Sequence, residues 1–554
     1  MTFNLLHEPW VAVLRTDGST GEVSLLDAFR EGDRISRVTG ELPTQAFAIH
    51  RLLLAILHRA APVRTPAEWA ELAADRAGLV EDVEAYLLDF ENRFDLFHPT
   101  QPFFQVADLR TAKDDVGGLE RLIADVPNGH QFLTTRTGRG VERISAAEAA
   151  RWLVHVHAYD TSGIKSGTVG HPRAKNGKAY PEPVGWAGQL GGIEVLGDTL
   201  LDTVLRNLVG HDTNGVLVTH DPARDLPPWE RPQDDGEPLE PEPTGLVDLY
   251  TRQTRRVRLV GDRDGVTGVV LTYGDRVTPQ DRQRLEPMSQ WRYSEPQSKK
   301  FGHDTYMPAE HQTDRAFWRG LKALLPLTDV GRGAGKAKKE HFRPAVLTWN
   351  DALRLGGHVD KGGLLKIHAV GQVYGTQSAV VDELVDDTLD VPLALLDESM
   401  HGLHHTVLTA VHDSEDAVYA LRSLARNVAA AGGDGAADGA GDRAAEALYA
   451  EVDGLFRTWL RTLTAEKVLT ETASPDALTA DQPIDAPLAR WHRTLHPVVL
   501  RHRDAIVGAA GAAAWTGRTV SGRHVDLGLA EVWFLAALHK ALPHAQPPRE
   551  EKTA

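Results

Sequence analysis

Apolar residues recur along this chain at two spacings, and the switch between them marks its organisation. Trp10-Val11-Ala12-Val13-Leu14 is a short apolar run and Glu22-Val23-Ser24-Leu25-Leu26 another, so each predicts a strand. Residues 44–60 (TQAFAIHRLLLAILHRA) carry apolar side chains on nearly every helical turn and almost all round, which predicts a buried helix. Residues 66–90 predict a second helix, with Thr65 as cap, Pro66 in the first position and Glu68 and Glu71 in the early turns. Residues 252–273 alternate around Gly261-Asp262-Arg263-Asp264-Gly265 and predict two strands. Beyond Gln377 the spacing is helical. Val418, Leu421, Leu424 and Val428 share a face behind Ser414 as cap, and Leu448, Val452, Leu455, Trp459 and Leu463 share another. Residues 489–506 and 527–542 supply two more helices. The fold class expected is α+β: a mixed α/β N-terminal domain over 1–378, then a C-terminal four-helix bundle over 379–554. The Gly/Ala/Asp-rich tract near 429–442 is expected to be a flexible connector.

Between these elements lie stretches that cannot form long regular structure. Residues 159–192 are rich in Gly and Pro and carry Lys165, Arg173, Lys175 and Lys178. A second basic loop at 331–343 carries Lys336, Lys338, Lys339 and Arg343. Acidic segments at 225–243 and 382–390 balance them. With 554 residues the chain is too long for one ordinary core. The formal charge of -17 argues against coating nucleic acid by overall field, so any such contact must come from the local basic loops. No run of 18 apolar residues is present and the first residues form no secretion signal, so no membrane contact and a cytoplasmic location are expected. Zero Cys excludes disulfides, thiolate metal sites and cysteine nucleophiles.

Enzyme motifs are missing: there is no GxxxxGK[ST] loop, no GxSxG elbow and no HExxH pair. The 25 His include His401, His404 and His405, and His-Asp neighbours occur at His211-Asp212, His303-Asp304 and His412-Asp413. A metal-dependent phosphohydrolase or nuclease built on those pairs is the enzymatic alternative, and a protein-only scaffold is the other. The favoured expectation is a non-enzymatic protein with no metal and no cofactor.

Five segments, in order, resemble the large subunit of Cascade, the type I-E CRISPR surveillance complex. They are the opening FNLLHEPWVAV, the segment LFHPTQPFFQV at 96–106, the stretch Gly129-His130-Gln131-Phe132-Leu133, the loop Asp160-Thr161-Ser162-Gly163 before Ile164-Lys165-Ser166-Gly167, and Tyr374-Gly375-Thr376-Gln377-Ser378-Ala379. The resemblance implies that Phe132 grips the guide-RNA handle. It further implies that Asp160, Thr161, Ser162 and Gly163, with Lys299 or Lys300, read a protospacer-adjacent motif in the minor groove. There the base edges distinguish A·T from G·C only coarsely. Thr161 and Ser162 stand where the family pattern has glycine. Gly375, Thr376 and Gln377 correspond to a wedge that enters the duplex and starts R-loop formation. Lys165, Arg173, Lys175, Lys178, Lys336, Lys338, Lys339 and Arg343 are expected to contact phosphates, which position a duplex without reading it. The partners implied are the other Cascade protein subunits, the CRISPR guide RNA, target double-stranded DNA and a separate nuclease-helicase. Some relatives carry a cysteine cluster with zinc-ligand spacing, which this chain cannot supply.

Overall fold

A computed structural model describes residues 2–126, 134, 136, 141–211, 221–233, 235–238, 242–326, 341–360, 362–472 and 474–545. The described residues group into two compact units. One is drawn from Met1–Arg315, Gly331–Asp360 and Lys366–Thr388, the other from Ala316–Val330, Lys361–Leu365 and Leu389–Ala554.

The apolar stretch at 44–60 becomes the Pro43–Ala60 helix, buried on all sides as its pattern requires. It packs against the Ala146–Tyr159 and Leu246–Tyr250 helices. Its one buried guanidinium, Arg51, is fully satisfied. Two bonds of 2.9 and 2.8 Å reach Glu286, and the cation lies 4.2 Å from the Tyr250 ring centre. Trp186 Nε1 donates to the same carboxylate at 2.8 Å. A charge pair removed from water persists only with such complete pairing.

Short antiparallel sheets surround this helix. Val11–Arg15 pairs with Thr20–Val23 and Ile35–Val38, so the second expected strand ends at Val23 and its Leu25-Leu26 begin a helix instead. Arg255–Asp262 and Gly265–Tyr273 form the expected hairpin. Leu364–Tyr374 lies between Val381–Pro392 and Gly192–Leu196, with Ile367 opposite Val195 and Ala369 opposite Ile193.

Two local expectations change here. The helix expected over 66–90 is two helices, Pro66–Ala74 and Arg76–Asp89, because Asp75 leaves helical geometry and caps the second through Gly78 N at 3.0 Å. The acidic stretch after Gln377 is a strand, not a helix, so residue 378 falls in the turn of a hairpin.

The second unit is helical. His401–Gly432 packs against Ala437–Leu460, Asp485–Gly508 and Leu527–Ala541, giving a four-helix bundle. Its centre is aromatic: Phe456 stacks on Trp318 at 4.2 Å and meets Trp491 edge-on at 5.3 Å. Ser414 caps nothing. It sits buried in mid-helix, where its hydroxyl donates to Ala410 O at 2.6 Å and accepts from Trp491 Nε1 at 3.0 Å. The tract at 429–442, expected as a flexible connector, is helical on both sides of a turn at 433–436. Alanine favours helix strongly, and the break falls where Gly433 takes a left-handed conformation, φ 98°. No helix among the described residues is long and apolar enough to cross a membrane.

Candidate nucleic-acid interface

The Ala146–Tyr159 helix, capped by Ser145, ends at Asp160, and the expected reading loop begins there. The Asp160 carboxylate is buried between two cations. Lys165 Nζ lies 2.8 Å away and Arg255 Nε bonds the other side. Burial alone would raise the Asp160 carboxyl, but Lys165 and Arg255 hold it below its ordinary value. Burial pushes the Lys165 ammonium below its ordinary value, with Asp160 opposing. Arg255 also donates to the carbonyls of Asp160 at 3.0 Å, Thr161 at 3.2 Å and Pro183 at 3.2 Å. Its guanidinium lies 4.8 Å from the Tyr273 ring centre, and the Tyr273 hydroxyl donates to Gly163 O. One buried arginine thus clamps the start of the loop, and Tyr273 holds its end. Asp160 holds the loop from within, while Thr161, Ser162 and Gly163 remain half-exposed.

The hairpin turn at 375–380 meets this loop. Ser162 N donates to Ser378 O at 2.7 Å, and Ser162 Oγ donates to Glu182 O at 2.5 Å. The turn is tight: Gly375 N donates to Val380 O at 3.0 Å and Ser378 N to Gly375 O at 2.9 Å. A Cβ at Gly375 would stand 2.3 Å from Asp382 Oδ1, so any larger residue there would have to turn that exposed carboxylate aside. Gln377 and Ser378 both adopt left-handed conformations, φ 57° and 53°. Two such residues in a row cost about 1–2 kcal/mol each in side chains other than glycine. Thr376 and Gln377 are exposed at the tip. Backbone strain held at an exposed polar tip points to use rather than packing.

The basic residues divide. Lys165 is buried against Asp160, a correction to its expected role as a phosphate contact, since its charge is committed to the loop. Arg173 pairs with Glu182. Arg343 Nε donates to Thr348 Oγ1 at 2.8 Å. Lys175 and Lys178, by contrast, are exposed and face each other across a two-residue Asn176-Gly177 turn, both with positive φ. Like charges placed directly opposite repel, and a polyanion between or beside them relieves that. Their hairpin pairs with Lys165–Ser166, the strand that follows the reading loop. Lys299 and Lys300 end the Glu295–Phe301 helix. Lys299 is 2.8 Å from Glu295, and Lys300 lies 5.2 Å from the Phe301 ring centre. Among the described residues neither hydrogen-bonds the loop or the tip. Phe132, Lys336, Lys338 and Lys339 lie outside the described residues.

The histidines singled out for metal chemistry are engaged elsewhere. His404 bonds Leu395 O at 3.0 Å, His405 meets Asp481 at 2.8 Å and Asp413 is taken by His492 at 2.8 Å. Among the described residues no group of three or more His, Asp or Glu is placed to hold a metal ion. Sequence reasoning missed Arg255 and Tyr273. The first could have been suspected: Arg255-Arg256 opens a strand that continues through Val257, Leu259 and Val260, and a buried arginine needs partners.

Comparison with known proteins gives a consistent picture. The family model of CRISPR-associated protein Cse1 matches residues 4–502. The chain is 29% identical over 417 residues to the CRISPR-associated protein CasA/Cse1 of Thermus thermophilus, covering 73% of this chain and 76% of that one. The crystal structure of Thermobifida fusca Cse1 superposes with a TM-score of 0.86 at 43% identity, over 98% of this chain and 99% of that one. Cse1 from Acidimicrobium ferrooxidans gives 0.81 at 27% identity, over 99% of each. A chain of a CRISPR RNA-guided surveillance complex shares the fold, with a TM-score of 0.61 at 19% identity over 98% of this chain and 99% of that one.

Proposed function

Since the chain belongs to the CRISPR-associated protein Cse1 family, the large subunits of Cascade, we propose that it tests a short duplex signal and starts strand opening beside it. It does so without chemistry of its own, in a complex with the other Cascade subunits and the CRISPR guide RNA. The observation that carries this reading is the bond from Ser162 N to Ser378 O. It fixes the loop that faces the minor groove to the tip that enters the first base step. Thr161, Ser162 and Gly163 approach the base edges, Lys175 and Lys178 hold a phosphate backbone, and Lys299 or Lys300 reaches the groove from its own helix. Gln377 then stands where the first base pair was. Breaking that pair costs a few kcal/mol, returned by backbone contacts and guide pairing. An amide suits the place because it donates and accepts at once. The opened complex then hands the DNA to a separate nuclease-helicase.

Gln377→Ala in the assembled complex tests the wedge. Strand opening, read as permanganate reactivity of thymines in the displaced strand, should slow about tenfold, the equivalent of roughly 1.4 kcal/mol. Assembly with the guide and partners should be unaffected. Unchanged opening by the variant would refute the wedge. Turnover of a phosphodiester by the purified chain with added metal would instead favour the phosphohydrolase reading.

A further inference from the structure

Next to the reading loop, a small sheet turns one face to solvent. Lys165–Ser166 follows the loop and pairs with Lys178–Ala179, which pairs in turn with Ala174–Lys175. Its register sorts the side chains onto two faces. Lys165 opposes Ala179, and Ala179 opposes Ala174, on the inner face, where Ala179 is buried and Lys165 meets Asp160. Ser166 opposes Lys178, and Lys178 opposes Lys175, on the outer face. Two residues further along their strands, Ile164 and Tyr180 return to that outer face, and the same register sets them opposite each other. Both are large side chains left in water, 57% and 49% exposed. Arg121, itself exposed, reaches this face by donating to Ser166 Oγ at 2.8 Å. The carboxylates that flank these strands are taken: Asp160 by Lys165 and Arg255, Glu182 by Arg173 and Arg276. An apolar pair therefore borders a row carrying Arg121, Lys178 and Lys175.

Residues two apart on a strand are separated by roughly 7 Å and neighbouring strands by about 4.8 Å, so the apolar pair and the cations lie one row apart. A nucleotide has the same layout, a flat base beside a charged phosphate. A closed duplex hides its base faces in the stack, whereas an unpaired strand offers them to an aromatic ring while cations track its backbone. Continuity picks the source of that strand: Ile164 follows Gly163 directly, and Ser162 N fixes the loop to the tip at Ser378 O. We propose that this face is a stacking platform for the displaced single strand of the target DNA. This rests on the opening function proposed above. A base released at the tip lies on Tyr180 with Ile164 beside it, and Lys175, Lys178 and Arg121 hold the adjoining phosphates. Every base has a π-face, so the platform accepts any sequence. Holding the displaced strand opposes re-pairing and leaves the other strand to the guide.

The test compares Tyr180→Ala with the parent in the assembled, guide-loaded complex on three signal-bearing targets. One is a full duplex, one a duplex whose displaced strand ends at the signal, and one a full duplex with abasic residues at the first displaced positions. On the full duplex the variant should shorten the lifetime of the opened complex about tenfold, the scale of one lost base–aromatic stack. Tyr180→Trp should retain the parent lifetime. On the truncated and abasic targets Tyr180→Ala and the parent should agree, because no base is left to stack, the signature of a coupled pair. Tyr180→Ala should melt and load guide RNA as the parent does, since the side chain it removes stands in water. A tenfold loss on all three targets, or none on the full duplex while permanganate still reports opening, would overturn the platform and leave the opening function standing. Reduced guide loading by Tyr180→Ala would assign the face to RNA and overturn the platform too. If the parent opens no signal-bearing duplex, the opening function falls and the platform with it.

Discussion

Arg255 is the residue on which the reading loop most depends, and Arg255→Met measures how much. The change removes one of the two cations beside the buried Asp160 carboxylate. It also takes the donor from four carbonyls, those of Thr254, Asp160, Thr161 and Pro183. Deleting one partner of a buried ion pair costs about 3–5 kcal/mol, because the other charge stays behind unpaired. With Arg255 gone, the burial that raises the Asp160 carboxyl is opposed by Lys165 alone. Asp160 in the parent sits below its ordinary value, so its contribution is present above about pH 4 and lost as pH falls further. In the variant that loss should begin at higher pH. Arg255→Lys restores charge without the planar fork and should recover only part of the stability. Denaturant melts at pH 7.5 and pH 5, with affinity for duplexes with and without the signal, provide the assay. A loss of several kcal/mol with reduced signal discrimination is expected. Stability within 1 kcal/mol of the parent and unchanged discrimination would show that the clamp does not organise the loop.

Two further outcomes follow from the same unit. Burial would lower the His368 imidazole, but bonds to Asp386 and Glu194, each 2.7 Å, outweigh it and hold it up at about 9. A raised value stabilises fully below the unfolded value near 6.5 and is lost as pH rises through 9. Thermal stability should therefore fall by roughly 3 kcal/mol across that window, and His368→Gln should flatten the curve; an equally steep decline in the variant would exclude His368 as its source. Lys175→Glu with Lys178→Glu should weaken duplex binding with and without the signal alike. The log-log salt slope should flatten by about 0.9 for each phosphate lost. A defect confined to one signal sequence would mean that these lysines read bases.

The sequence disclosed the elements whose pattern and packing agree. The helix at Pro43–Ala60 and the 255–273 hairpin were legible because their apolar spacing is also what their neighbours bury. The strand Val381–Pro392 was not. Val381, Leu384, Val385 and Leu389 repeat at helical spacing, yet pairing with Leu364–Tyr374 overrides that preference. Ser414 has the chemistry of a cap, but a tryptophan from another helix recruits its hydroxyl. At the site, Gln377 and the 160–163 loop could be located by resemblance, whereas their mutual contact depends on residues 216 apart in the chain. Lys165 looked like a free cation because its partner Asp160 was itself assigned to reading. Arg255 belongs to no motif, and it matters through what the fold sets beside it.

The hydrogen bond between Ser162 and Ser378 also constrains how such a protein can change. Like the jaws of a caliper, the two loops keep one separation, so under the function proposed above the distance from signal to fork is set by the protein rather than by the DNA. Lengthening either loop by a residue would change that separation. On that proposal new signal preferences would be reached by exchanging side chains at Thr161 and Ser162, whereas insertions and deletions there would misplace the point of strand separation.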